Sequence, residues 1–269
     1  MNRSTSFFNY GLSVGARVDI GKERSSNQDE VIVCPEVGFY AVSDGMGGFT
    51  DGGKASRIIK KSLPGRMKTA SKTLMKNPSP KRAARLLKEK VYEINDMVFF
   101  SGLLNSQPSE ERFGSSVVGG NQESGATLSG VWLTGGHAVF VNLGDSRGYL
   151  LPRNRKKISQ VTDDHNVAAE LVKNGDLTKK AARSHPTSCM LTRFVGNFPA
   201  EPDIFIRKVS PGDKILLCSD GLYGMVNEEL LPAIMRSSEN PEHVCEQLVE
   251  EANTNGGRDN ISVVCIDVK

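Results

Sequence analysis

Val42-Ser43-Asp44-Gly45-Met46-Gly47-Gly48 follows an apolar run, Gly38 to Val42, that reads as a strand. The strand delivers one carboxylate into a loop with almost no side chains. Asp44 therefore stands at a rigid strand end, where ligands for hard cations belong. Gly45, Gly47 and Gly48 lack Cβ atoms, so the backbone can turn sharply and carbonyls can approach a ligand. By itself an Asp-Gly at a strand end is also an ordinary turn. The pattern recurs, however, in Leu143-Gly144-Asp145, Cys218-Ser219-Asp220-Gly221 and Arg258-Asp259-Asn260. Four acids at the edges of apolar runs are poorly explained as four independent turns.

A chain of 269 residues fits one large domain or two small ones. Hydrophobic content of 38% supports a real core, and 24% charged residues is ordinary for a soluble protein. No window approaches the ~20 apolar residues of a membrane span. Met1 to Tyr10 has one Arg and no continuous apolar core, so no signal peptide is expected there. The five cysteines, Cys34, Cys189, Cys218, Cys245 and Cys265, are odd in number and form no CxxC. Most lie in apolar runs, which predicts reduced thiols and a cytoplasmic protein. The net charge of +3 is uneven: Lys54 to Lys90 holds 13 Lys and Arg against one acid, Glu89. Without interleaved aromatics this stripe reads as a solvated helix face, not a nucleic-acid site.

Taken in order, Leu12 to Val18 and Glu30 to Val33 read as strands around the loop Gly21 to Asp29, in which Arg24 precedes Asp29 by five residues. Arg suits bidentate phosphate binding, but taken alone Arg24 reads as a surface or ion-paired residue. Lys54 to Leu63 carries Ala55, Ile58, Ile59 and Leu63 at helical spacing, with Pro64 as its stop. Ser79-Pro80 opens a longer helix with Ala84, Leu87, Val91, Ile94 and Val98 on one stripe. Leu104 to Ser124 is rich in Gly, Ser and Gln and reads as a mobile loop.

From Gly125 the pattern turns to strands: Ala126 to Leu133, His137 to Leu143, Gly148 to Leu151 and Lys156 to Val161, with a hairpin turn at Gly135-Gly136. Asn166 to Asn174 and Asp176 to Ser184, closed by Pro186, read as two short helices of a surface lobe. Ile204 to Val209 and Lys214 to Cys218 return to strand. Asn227 caps one helix, Asn240-Pro241 opens the last, and Ile261 to Val268 is the final strand. Strands in consecutive runs argue for antiparallel sheets. The expected fold class is α+β: two packed antiparallel sheets with helices outside each.

Asp44, Asp220 and Asp259 are 176 and 39 residues apart, so only folding can bring them together. Oxygen ligands without nearby Cys or His select Mg2+ or Mn2+ over zinc. Two such ions ~3.5–4 Å apart activate a water and clamp a phosphoryl group for in-line displacement, with Arg24 holding the phosphate. Each acid also has a plainer reading as a turn residue or cap, and Asp145-Ser146-Arg147 as a hairpin end with a local ion pair. His165 and His185 read as surface or packing residues.

Seven short motifs occur together in order: Arg24 with Asn27-Gln28-Asp29, Asp44-Gly45-Met46-Gly47-Gly48, Gly125-Ala126-Thr127, Gly144-Asp145-Ser146-Arg147, Thr162-Asp163-Asp164-His165, Cys218-Ser219-Asp220-Gly221 and Asp259-Asn260. This series resembles the type 2C metal-dependent protein phosphatases in their compact bacterial form, over nearly the whole chain from about Val14. No one motif is specific, but the ordered set is. The resemblance implies an α-β-β-α sandwich and hydrolysis of phosphoserine and phosphothreonine by a metal-bridging hydroxide, without a phosphoenzyme. It implies that Asp44 bridges two ions, that the Gly45 carbonyl binds one, and that Asp220 and Asp259 complete the other. Asp29 would act through bound water, Arg24 would bind the substrate phosphate, and Asp145 would help hold a third, looser ion. Residues 166–196 would form a flap beside the site.

The chain departs from the family at three positions. Gln28-Asp29 stands for the usual Glu-Asp, which should weaken one ion. Phe49 replaces a His of many bacterial relatives, and Met46 replaces a His of the animal enzymes, so proton delivery falls to metal-bound water. The expectation is one phosphatase domain over 1–269, with a flap at about 166–196 and a mobile loop at about 104–124. Mn2+ or Mg2+ would be its cofactor, two ions per site with a possible third. The partners would be phosphorylated proteins of a cognate Ser/Thr kinase, with no nucleic acid, no membrane and a monomeric state, in cytoplasmic signalling. The alternatives are a pseudophosphatase that binds phosphoproteins and a hydrolase of small phosphate esters.

Overall fold

The computed structural model describes residues 11–47, 52–105, 125–183 and 185–269. One sheet runs in the order β1 (Leu12–Asp19), β11 (Ile261–Val268), β10 (Lys214–Cys218), β7 (Arg147–Leu151) and β8 (Ser159–Gln160). The other runs β2 (Asp29–Cys34), β3 (Phe39–Met46), β5 (Leu128–Thr134), β6 (His137–Leu143) and β9 (Asp203–Lys208), and β4 (Gly125–Ala126) pairs with the end of β3. All named pairs are antiparallel.

Two-residue alternation divides each strand between two cores. On β3, Phe39 and Ala41 face a layer formed by α1 (Lys54–Met75) and α2 (Pro80–Asn105), while Tyr40 and Val42 face the other sheet. On β11, Val263 and Cys265 face α6 (Pro241–Thr254), and Val264 and Ile266 face the inter-sheet core. The result is the expected α-β-β-α sandwich. Each large core side chain contributes roughly 1.5–3 kcal/mol by leaving water.

Several expected boundaries are corrected. Pro64 does not stop the first helix, which continues to Met75. Met67, Ala70 and Leu74 extend the buried stripe of Ala55, Ile59 and Leu63, and their burial outweighs the missing N–H. Leu104 and Asn105 belong to α2, whereas the rest of the expected loop lies outside the described residues. The strand expected over Lys156 to Val161 is reduced to Ser159–Gln160 on the sheet edge. The helix expected over Asp176 to Ser184 shrinks to α4 (Lys179–Ala182), and Pro186 opens a 3-10 turn, Pro186–Cys189, instead of closing a helix. Its predecessor α3 (Val167–Asn174) is capped by the Asn166 side chain and closed by Gly175 at φ 85°. The hairpin at Gly135-Gly136 holds, with both φ positive as a type I′ turn requires.

Members of the basic stripe lie on exposed faces of α1 and α2, several of them ion-paired: Lys60 with Glu30, Arg66 with Glu93, Lys68 with Glu36, and Lys90 with Glu89 and Glu93. Among the described residues no helix is long and apolar enough to cross a membrane. All five cysteines are free, and only Cys189 of them is exposed.

Candidate active site

The sandwich brings the strand-end acids to one end. Asp29 opens β2 and is register partner of Asp44 near the end of β3. Asp220 opens the short helix α5 (Asp220–Tyr223) directly after β10, and Asp259 lies just before β11, the neighbour of β10. Asp145 sits in the turn from β6 to β7, where the chain passes between sheets.

Close backbone approach fixes these turns. A Cβ on Gly45 would lie 2.5 Å from the Gly52 carbonyl oxygen and 2.7 Å from that of Gln28. A Cβ on Gly221 would fall 2.0 Å from the Asn260 carbonyl oxygen. Only glycine fits either position. The Asp44 backbone N–H donates to Thr127 Oγ1 at 2.9 Å, and Thr127 N–H returns a bond to the Asp44 carbonyl at 2.8 Å. The Gln28 carbonyl accepts from Gly45 N–H and from Ser56 Oγ.

Burial and mutual repulsion dominate the electrostatics. Asp29 is 3% exposed, and its carboxyl is raised to about 7, chiefly by burial, although Ser219 Oγ donates to its Oδ2 at 2.7 Å. Asp44 is raised well above the ordinary carboxylate value by burial and then by the charges of Asp29, Asp220, Asp145 and Asp259. Asp145 is likewise raised well above it, by burial and by Asp220 and Asp164. Asp220 is raised by burial and by Asp259. Among the described residues, Asp29 Oδ1 and Asp220 Oδ1 are buried without a hydrogen-bond partner.

Acceptor atoms without donors, in a cluster of carboxylates that disfavour one another's charge, fit cations. The set is oxygen only, which suits Mg2+ or Mn2+. Among the described residues no three His, Cys, Asp or Glu side chains are drawn round one point, so an ion here would need carbonyl or water oxygens as well. Hard divalent ions accept such mixed sets.

Arg24 is brought to the cluster and donates from Nη2 to Asp259 Oδ2 at 2.6 Å. The expected phosphate ligand thus pairs with an expected metal ligand. Both are partly exposed, so the pair stabilises the fold by no more than about 1 kcal/mol. Met46 pairs with Gly125 across β3 and β4 and offers no titrating group. Gly48 and Phe49 lie outside the described residues.

Several supporting residues had no assigned role in the sequence reading. Asn260 accepts from Gln28 N–H at 2.9 Å and donates to the carbonyls of Ile20 and Ser26, tying the Arg24 loop to the Asp259 turn. Ser219 bridges Asp29 and the backbone N–H of Ser262. His165 is fully buried, in keeping with a packing role, but it also carries directed bonds. Its Nδ1 accepts from Gly144 N–H at 3.2 Å, so its Nε2 carries the proton and donates to Asp203 at 3.0 Å. Burial keeps this ring below the ordinary histidine value and therefore neutral. Arg193 closes the chain with two bonds to Asp203. No spacing signals such contacts, because they form between segments distant in sequence. Asp145 and Arg147 do not pair locally: Arg147 binds Asp164 instead.

The profile of Protein phosphatase 2C matches residues 21–253, and the chain belongs to that family. It is 30% identical over 255 residues to the serine/threonine phosphatase stp of Listeria welshimeri, covering 93% of this chain and 94% of that one. The PPM Ser-Thr phosphatase MsPP of Mycobacterium smegmatis, solved with cacodylate, is 35% identical with a TM-score of 0.74, over 96% and 98% of the two chains. The catalytic domain of the serine threonine protein phosphatase PstP, solved with two manganese ions, is 27% identical with a TM-score of 0.75, over 96% and 98%.

Proposed function

We propose that this chain is a protein serine/threonine phosphatase that hydrolyses phosphoserine and phosphothreonine with the help of Mn2+ or Mg2+ held by its strand-end acids. The observation that carries this reading is the pair of buried oxygens, Asp29 Oδ1 and Asp220 Oδ1, that lack a donor among the described residues inside a mutually repelling cluster. Family membership and the manganese in PstP support it.

Asp44, Asp220, Asp259 and the Gly45 carbonyl would hold two ions, with Asp145 contributing to a third. Bound there, such ions neutralise the carboxylates and lower the pKa of a water for in-line attack on phosphorus. Asp29, oriented by Ser219, keeps its position at the base of the site. Arg24 exchanges Asp259 for phosphate oxygens, which are acceptors of the same kind. The leaving oxygen takes its proton from water, since Met46 cannot supply one. Residues 166–196 form the flap that meets the substrate, a reading supported by the Asn166–Leu191 bridge, which closes the segment on itself, and the Ala126–Val195 bridge, which ties its end to β4. The substrates are phosphoproteins made by a Ser/Thr kinase of the same cell, met by a cytoplasmic monomer in a signalling role. Free, mostly buried cysteines suit such a reducing compartment.

The test is hydrolysis of a phosphothreonine peptide and of an aryl phosphate, each with and without added Mn2+. Mn2+-dependent turnover with a higher kcat/KM for the peptide is expected. No turnover of either would leave a phosphoprotein-binding module, and an equal preference would favour a hydrolase of small esters.

A further inference from the structure

Arg147 follows Asp145 by two residues, on the strand that leads away from the acidic turn. A guanidinium so placed lies two residues from Asp145 and pairs in register with Cys218, two residues before Asp220, yet it is committed elsewhere. Its Nε and Nη2 donate to Asp164 at 3.0 and 2.6 Å, and its Nη1 donates to Tyr149 Oη at 3.2 Å. Its Cζ lies 3.5 Å from the centroid of the Tyr223 ring, a close cation–π contact. The pair is nearly dry, with 11% of the Arg147 and 13% of the Asp164 side chain exposed. Gln160 Nε2 steadies the carboxylate with a further bond at 2.7 Å.

Tyr223 ends the short helix that Asp220 begins, three residues on and hence on the same face. The charges of Asp145 and Asp220 both act on Tyr223, which puts the ring within electrostatic reach of the acid cluster.

A tethered guanidinium that was free to swing would be a strong competitor for a divalent ion, because its local concentration is set by two residues of chain. We propose that Asp164 and Tyr223 are positioning residues that sequester Arg147, and that this sequestration keeps Asp145 and Asp220 available to a divalent cation. The inference rests on the cation-binding reading above. Breaking one side of a buried pair leaves an uncompensated charge, which would turn to the nearest carboxylate. Removing both sides should not.

The experiment is Mn2+ binding to the full chain, by calorimetry and by electron paramagnetic resonance counting of free Mn2+. Four proteins are compared: wild type, Asp164→Asn, Asp164→Asn with Arg147→Gln, and Tyr223→Leu. Asp164→Asn should weaken the most loosely held ion by about tenfold or more. Adding Arg147→Gln should bring affinity back to within about threefold of wild type, although the ion pair is then wholly absent. A merely structural pair predicts a double variant no better than the single one, and that result would overturn the inference. So would a folded Asp164→Asn protein with the wild-type isotherm. If Asp164→Asn does not fold, Tyr223→Leu decides, since it keeps the ion pair and removes its cover. A weaker isotherm then supports the inference, and an unchanged one overturns it. A wild-type chain that binds no Mn2+ would sink the cation-binding reading itself.

Discussion

Three hydrogen bonds from one side chain, that of Asn260, fasten the loop that carries Arg24. Asn260→Ala leaves one N–H and two carbonyls short of partners in a part-buried setting. The expected loss is about 1–3 kcal/mol for the least well solvated of them, read from denaturant unfolding. The variant should also raise KM for a phosphopeptide, because Arg24 loses its fixed position. Arg24→Ala tests the same interaction directly. It should raise KM with a smaller effect on kcat, since ground-state phosphate binding is lost while the acids stay in place. An unchanged KM would reject Arg24 as the phosphate ligand. At this scale the sequence marks the acids and Arg24, because charged residues next to glycines and apolar runs are conspicuous. It does not assign work to Thr127, Ser219 or His165, whose bonds depend on partners 19 to 190 positions away.

Among the elements, α1 departs most from expectation. Pro64 removes a helical donor, yet Leu63, Met67, Ala70 and Leu74 are all buried on one side of the helix. Local chemistry argues for a stop, and packing on the sheet overrides it. Gly65 is the cheaper place to test this. A Cβ there would meet nothing within 4 Å, and the site is exposed in a helix interior. Gly65→Ala should therefore stabilise the protein by about 0.5–1 kcal/mol, seen as a higher Tm with unchanged activity. A lower Tm would mean that the helix is not continuous through Pro64. The long strands read well from sequence for the opposite reason: β6, β10 and β11 carry residues for two cores in alternation, so pattern and packing agree. The elements that shrink, β8 and α4, lie at a sheet edge or on the surface lobe, where little burial reinforces a weak local preference.

Across the whole molecule, two sheets deliver buried acids to one end of the sandwich, and this sets a pH signature. The Asp29 carboxyl is raised to about 7 by burial, and Asp44, Asp145 and Asp220 are raised as well. The unfolded chain ionises these groups near pH 4, so between about pH 4 and 7 it releases protons that the folded chain keeps. Stability of the metal-free protein should therefore fall as pH rises through that window. Melts at about pH 5.5 and 7.5 check the sign, and added Mn2+ should oppose the loss by binding the ionised carboxylates. The convergence itself is legible in the sequence only as a repeated strand-end pattern; that four loops meet follows from sheet order, which no local window contains. Asp259 tests the convergence most directly, since it already has two partners, Arg24 and the Asn260 N–H, that would justify it as a plain turn residue. Asp259→Asn keeps the shape and removes the charge. If the acids act together as a divalent-cation site, kcat for a phosphopeptide at saturating substrate and excess Mn2+ should fall by two or more decades, about 3 kcal/mol, and the Mn2+-dependent rise in Tm should shrink. Near-wild-type turnover with an unchanged Mn2+ shift would contradict the account.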